Sequence, residues 1–233
     1  MNSQVVAPGD VVAVLPEQGK VKVGAGLYAE GNSLHTSKAG VLRQTKVGKL
    51  WVEGRQKRYI PSTGDDVVGI VLERHAENFV VDIGAPFPAV LNFLAFEGAT
   101  RRNRPKLSEG DLVYARVVLA HRDTDTEVSC TDSGGKASGY GPLKGGCLMT
   151  CTTALARRLL ASPPAPVLDA LGKSVQFEIA IGQNGRVWID AASAATVVLI
   201  ANAIARSEFL SADQSRLLVQ KLMARVASQV AAQ

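Results

Sequence analysis

A chain of 233 residues with 46% apolar side chains is long enough for two or three small hydrophobic cores, and too long for one domain of the commonest size. Aromatics make up only 5%, so those cores must be built from Val, Leu, Ile and Ala. The net charge of +5 is unevenly spread: residues 1–61 and 133–233 each carry +5 while residues 62–132 carry −5, which restricts any anion binding in the middle third to a local patch.

Residues 5–60 read as short strands. Val11-Val12-Ala13-Val14-Leu15 is stopped by Pro16, and runs such as Gly26-Leu27-Tyr28-Ala29 and Leu50-Trp51-Val52 lie between regularly spaced glycines. This predicts a small all-β module over residues 1–61, with little core of its own. Its cations (Arg43, Lys46, Lys49, Arg55, Lys57, Arg58) recur on the last two strands and their turns and suit either nucleic acid or an acidic protein surface.

After the boundary at Tyr59–Gly64, five strands are expected over residues 62–132: Gly64–Val71, Asn78–Ile83, Ala89–Phe93, Leu112–Val118 and Glu127–Cys130. Five strands in about 70 residues, with no helical periodicity, is the inventory of an OB-type barrel. Gly-Asp leads into a strand at residues 9–12, 64–68 and 110–113; a turn feeding a strand explains each case, and the unequal spacing excludes a true repeat. The connection between the third and fourth strands runs from the apolar Leu94-Ala95-Phe96 through Gly98 to Arg101, Arg102, Arg104 and Lys106. Pro105 argues against a helix there, so these cations sit on an extended loop. OB folds bind single strands with basic groups for phosphates and aromatic platforms for bases. The candidate residues for binding a single-stranded nucleic acid are therefore Arg74 and His75 on the first turn, Phe79 on the second strand, and Arg101, Arg102, Arg104 and Lys106. Phe79 can be core or platform on sequence grounds.

Residues 133–146 form a glycine-rich linker, and the absence of Gly-Lys-Ser/Thr in order excludes a phosphate-cradling loop. The last third changes class. A strand at Leu148–Thr152 precedes a helix through Ala154–Leu160, stopped by Pro163, Pro164 and Pro166, and a helical turn at Val167–Leu171. Two strands, Val175–Ile181 and Arg186–Ile189, flank Asn184-Gly185, a hairpin signal because both residues tolerate positive φ. A long Ala-rich helix spans about Ala192–Ser207. A final helix opens with a capping box at Ser211 and Gln214, and carries Leu218, Leu222 and Val226 as its apolar stripe. The order β-α-α-β-β-α over 147–233 is that of a KH domain with one extra C-terminal helix. The fold class is thus multidomain, mainly β and then α+β.

The chemistry-bearing residues are few. Cys130, Cys147 and Cys151 lack a second pair or a neighbouring His for zinc and are read as buried free thiols in a reducing compartment. His35, His75 and His121 are far apart, and no Asp/Glu cluster has metal-ligand spacing, so no catalytic residues, metal or cofactor are expected. The longest apolar run, Ala194–Ala205, is too short for a membrane span, and the expectation is a soluble intracellular protein with no membrane partner.

Two stretches carry a resemblance: Phe96-Glu97-Gly98-Ala99-Thr100-Arg101-Arg102-Asn103-Arg104-Pro105 and Gly182-Gln183-Asn184-Gly185-Arg186-Val187-Trp188-Ile189. With a β-module, an S1-type OB barrel and a KH-like domain in this order, the chain resembles the RNA-binding cap subunits of the eukaryotic RNA exosome from about Val5 to Val226. The resemblance implies a non-catalytic subunit that stabilises a ring of RNase PH-like proteins, neighbours other cap subunits, and guides single-stranded RNA 3′ ends into the channel. It also implies a nuclear, nucleolar and cytoplasmic distribution. Gly182, Asn184 and Gly185 form the family's Gly-x-Asn-Gly motif and are expected to be structural. An RNA-binding KH domain clamps the backbone with Gly-x-x-Gly between its first two helices; here Ala161–Pro166 holds neither glycine nor cation, so this domain is expected to pack and not to bind RNA. Two rivals remain at this stage: a protein–protein assembly module whose basic loop contacts a ring subunit, and an independent translation or decay factor built from the same modules.

Overall fold

The structure, a computed structural model, describes residues 4–16, 21–45, 48–54, 58–121, 123–161 and 164–230, with side chains up to Arg225. The chain divides into two units, Met1–Gln56 and Lys57–Gln233.

In the first unit the strands are β1 (Gln4–Val6), β2 (Val11–Val14), β3 (Leu27–Glu30), β4 (Ser33–Thr36), β5 (Gly40–Gln44) and β6 (Leu50–Glu53). They form two antiparallel three-stranded sheets, ordered β1-β5-β6 and β2-β4-β3. Its core is as small as the glycine content predicts, with Leu34 and Val52 the two large side chains fully buried among the described residues. Of the cations singled out above, Arg43 is neutralised across the sheet by Glu53 at 2.7 Å. Lys46, Arg55 and Lys57 lie outside the described residues.

The second unit opens with β7 (Asp66–Arg74), β8 (Asn78–Asp82), β9 (Ala89–Phe96), β10 (Leu112–Leu119) and β11 (Thr126–Cys130). Sheet order is β11-β9-β8-β7-β10, and β11 also pairs with β10, so the five strands close into a barrel. Alternation along each strand sends Phe79, Val81, Leu91, Phe93, Val113 and Val117 inward. The glycine-rich stretch is more than a linker. Asp132 accepts hydrogen bonds from Gly134 N and Lys136 N, closing a turn, and the chain then forms β12 (Gly141–Leu143) on the edge of β10. Its glycines hide a three-residue strand whose pairing comes entirely from tertiary context.

The KH-like part follows as β13 (Cys147–Thr150), α1 (Thr153–Leu159), α2 (Pro166–Gly172), β14 (Phe177–Ile181), β15 (Arg186–Ala191), α3 (Ala194–Arg206), a 3-10 turn (Ser207–Phe209) and α4 (Ala212–Val230). Pro166 starts α2 at its first turn, where its missing N–H costs nothing, instead of only stopping α1. The capping box forms in both directions: Gln214 N donates to Ser211 Oγ and Ser211 N to Gln214 Oε1. The buried stripe of α4 is rotated from the expected one, with Ser215 and Val219 inward and Leu218 only half-buried; the side chain of Val226 lies outside the described residues. Cys130 is buried and burial pushes its thiol up to about 12, but Cys147 is exposed, which corrects the reading of three buried thiols. Among the described residues no helix is long and apolar enough to cross a membrane.

Barrel and KH-like domain are joined through the tip of the β14–β15 hairpin. Asn184 does not adopt positive φ, so the turn is not the paired type expected from Asn-Gly; only Gly185 is left-handed, at φ +79. Asn184 is kept for its side chain. Its Nδ2 donates to Val68 O and Ile83 O, both at 2.9 Å, and its Oδ1 accepts from Val68 N at 3.4 Å. Gln183 N adds a bond to Asp66 O at 2.7 Å. A Cβ at position 182 would lie 2.6 Å from Val68 N, so glycine is needed for this approach. Around the tip, Val68, Ala180 and Trp188 form a shared apolar cluster with Tyr114 and Leu143. Arg186 reaches across to Asp82, with its Nη2 2.6 Å from Oδ2. Burial alone would raise the Asp82 carboxyl, but the hydrogen bonds from Arg186 and Gly84 N and the guanidinium charge outweigh it and hold it below the usual carboxylate range.

Replacing Asn184 by Asp should cost about 2–4 kcal/mol in urea unfolding of the full chain, because an acceptor then faces two carbonyl oxygens. Asp82→Asn should lower stability at neutral pH and converge on wild type as pH falls. A depressed carboxyl contributes fully above its unfolded value of about 3.9 and loses that contribution as pH drops through the folded one.

Candidate nucleic-acid interface

The antiparallel order of β7, β8 and β9 brings two connections together at one end of the barrel: the turn 75–77 after β7, and the long loop 97–111 after β9. The loop is internally ordered. Thr100 N donates to Asn103 O at 3.0 Å and Asn103 N returns to Thr100 Oγ1 at 3.0 Å, a closed turn that presents Arg101 and Arg102 at its exposed tip. Leu107, 2% exposed, roots the loop in the barrel core just after the exposed Lys106. Glu97 Oε2 accepts from Ala137 N at 2.8 Å, fastening the loop's beginning to the turn after β11.

Arg104 has a different task from its neighbours. Its Nη1 donates to Ala76 O at 2.9 Å, its Nε to Arg101 O at 3.2 Å, and its guanidinium lies 5.4 Å from the centre of the Phe93 ring. It therefore clamps the turn 75–77 to the loop, with part of its donor set and one face of its guanidinium already engaged. Arg74 is exposed at the end of β7. His75 leans on Glu73, with Nε2 3.3 Å from Oε2.

Phe79 is corrected outright. The ring is fully buried and meets Phe93 edge-on, with centroids 4.5 Å apart at 72°. With no exposed face it cannot stack on a base; it fills the barrel core because an aromatic on that face of β8 points inward. What sequence reasoning missed is a cavity of about 290 Å³ at this end, lined by Glu77, Asn92, Phe93, Leu94, Thr100, Arg101 and Arg104. Exposed Leu94, alternating with buried Phe93 on β9, was the one signal available. The opposite end of the barrel has another character. Its cavity of about 360 Å³ is lined by apolar Ile60 and Phe87 with His121 and Asp125.

Away from the barrel, Arg158 donates to Glu208 O. Ser162 and Pro163 of the α1–α2 connection lie outside the described residues. Gly182, Asn184 and Gly185 are occupied with barrel and KH backbone, as described above, and lie on β7's starting side, apart from the basic loop.

Residues 59–141 match the family model of the S1 domain of exosome complex component RRP40, and residues 146–195 match a KH domain model. The exosome complex component rrp40 of Schizosaccharomyces pombe is 42% identical over 214 residues, covering 89% of each chain. The chain belongs to the RRP40 family of exosome complex components. Human RRP40 is 39% identical over 87% of this chain and 76% of its own, and the archaeal exosome component Rrp4 of Pyrococcus abyssi is 30% identical over 87% and 75%. A solved chain described as an exosome complex RNA-binding protein shares the fold at a TM-score of 0.61 and 20% identity, covering 74% of this chain and 99% of its own. The RRP40-type S1 match spans the whole barrel, including the Arg104 clamp and the basic tip.

Arg104→Gln should raise amide hydrogen exchange in both 75–78 and 99–104 and cost about 1 kcal/mol, whereas Arg101→Gln should change neither. Equal exchange in the two variants would show that Arg104 is no clamp.

Proposed function

We propose that this chain is a non-catalytic RNA-binding cap subunit of the RNA exosome. The basic end of its S1 barrel faces the RNA path, and its other parts hold it on the RNase PH-like ring beside the other cap subunits. RRP40 family membership supports the assembly. The observation that carries the RNA reading is the contrast between the two ends of the barrel. In a domain of net −5, Arg101, Arg102 and Lys106 are gathered and exposed on an internally bonded loop at one end. The cavity at the other end is lined mainly by apolar and small residues, with Asp125 as its one carboxylate and no Lys or Arg among the described residues. A local cationic patch on a rigid support is what a single-stranded polyanion needs.

In this reading the chain works as four parts. Residues 1–61 dock on the ring, 62–132 bind RNA, and 133–146 form the connecting turn with its edge strand. Residues 147–233 are a brace. The hairpin motif of the brace is spent on the barrel, and its α1–α2 connection carries no Gly-x-x-Gly. No step of the proposed role asks for a cofactor or a catalytic residue, since threading 3′ ends toward a nuclease needs only binding and orientation. Work on nuclear, nucleolar and cytoplasmic RNA substrates follows from the same reading.

The test is Arg101→Gln, Arg102→Gln and Lys106→Gln together in a reconstituted exosome, leaving Arg104 in place so that the loop keeps its shape. The variant should co-purify at wild-type stoichiometry while RNA affinity falls and the salt slope decreases by up to about 2, given roughly 0.7 per single-strand phosphate contact. Loss of the variant from the complex, with RNA binding unchanged in what assembles, would instead make the loop an assembly contact.

A further inference from the structure

The cavity at the basic end contains a group that phosphate binding does not explain. Glu77 lines it beside Arg101 and Arg104, yet its carboxylate makes no ion pair or hydrogen bond to any described residue; its backbone O alone is used, accepting from Phe93 N at 3.2 Å. An exposed carboxylate beside an RNA path repels phosphates, so it weakens binding unless it accepts hydrogen bonds from a base. Asn92 supplies the complementary group. Its Oδ1 accepts from Leu94 N at 2.9 Å, which fixes the amide orientation and leaves the NH2 as a donor at the same cavity. Arg101, which also lines the cavity, carries a guanidinium plane on which a base can stack.

We infer that this cavity reads an unpaired guanine, with Glu77 accepting from N1–H and the N2 amino group and Asn92 donating to O6; the inference rests on the RNA-binding reading above. The choice of base follows from hydrogen-bond patterns. Guanine presents two adjacent donors next to an acceptor on its Watson–Crick edge. Uracil presents one donor between two acceptors, and adenine and cytosine place an acceptor beside their amino group. A carboxylate beside an amide donor therefore fits guanine with both groups satisfied. Adenine and cytosine can give one amino hydrogen to the carboxylate while the amide donates to the neighbouring ring nitrogen, and uracil can give N3–H, but each leaves the second carboxylate oxygen without a donor. Guanine alone offers two adjacent donors, one for each oxygen. The volume of about 290 Å³ accommodates one base and no more than part of its sugar. The clamp by Arg104 keeps Glu77's turn at a fixed distance from the Arg101 tip, so the recognition groups are held in place before RNA arrives.

The experiment uses the full-length chain and single-stranded oligouridylate with one central position varied as guanosine, inosine, adenosine or uridine, measured by fluorescence anisotropy. Wild type should prefer guanosine over adenosine at least about fivefold, with inosine in between because it lacks the N2 amino group. Glu77→Gln should remove that preference while leaving affinity for plain oligouridylate unchanged or higher, and Arg101→Gln should lower affinity for all four. Equal binding of all four by wild type, or a guanosine preference that survives in Glu77→Gln, overturns guanine recognition and leaves RNA binding intact. Failure of wild type to bind any of the four overturns the RNA-binding reading, and this inference with it.

Discussion

The carboxamide of Asn184 bridges two carbonyls of the barrel, Val68 O on β7 and Ile83 O just after β8, and much of the second unit depends on that bridge. A backbone carbonyl facing a neighbouring domain must find a donor or lose about 1–3 kcal/mol, and here a single side chain serves both while its oxygen meets a backbone N–H. The geometry is possible only because Gly182 has no Cβ to strike Val68 N. The KH-like domain is thereby packed against the barrel as a brace, with Trp188 and Ala180 burying Val68 and the Arg186–Asp82 pair closing one side. β7 leads from this brace to the turn 75–77, so the start of the strand is held by the KH-like domain and its far end by Arg104.

The barrel's charge distribution follows a similar division of labour. Among the described residues three cations, at the loop tip and beside its root, have no side-chain partner, while the fourth, identical in charge, is engaged by backbone carbonyls and an aromatic face. Counting basic residues in the loop would overstate the number that can meet a phosphate. An acidic domain with a small cationic tip also limits non-specific attraction, because the field beyond about one Debye length of 8–10 Å reflects the net charge and not the patch.

Much of this was legible in the sequence. Strand count and the long gap between the third and fourth strands placed the barrel and its basic loop, and Ser211 with Gln214 marked the start of α4. Gly182, Asn184 and Gly185 stood out, but as a turn; that Asn184 points its amide into another domain is a long-range fact that Asn-Gly spacing does not encode. Phe79 could not be assigned a face, because alternation on a five-residue strand fixes its periodicity and not its phase. β12 was invisible for a related reason: Gly141-Pro142-Leu143 has no intrinsic strand preference and pairs only because β10 offers an open edge. Glu77 and Asn92 gave no signal, since a cavity wall assembled from a turn and a neighbouring strand exists only after folding.

If the Asn184 bridge makes barrel and KH-like domain one cooperative body, their unfolding must coincide. Trp51→Phe leaves Trp188, at the shared cluster, as the remaining one of two tryptophans. The direct measurement is a urea titration of that variant in which Trp188 fluorescence is compared with hydrogen-exchange protection of the amides of β8 and β10. A common midpoint for both probes is the result this account requires. Loss of the Trp188 signal at a urea concentration where β8 and β10 remain protected would contradict it, and would leave the KH-like domain as a separate appendage of the barrel.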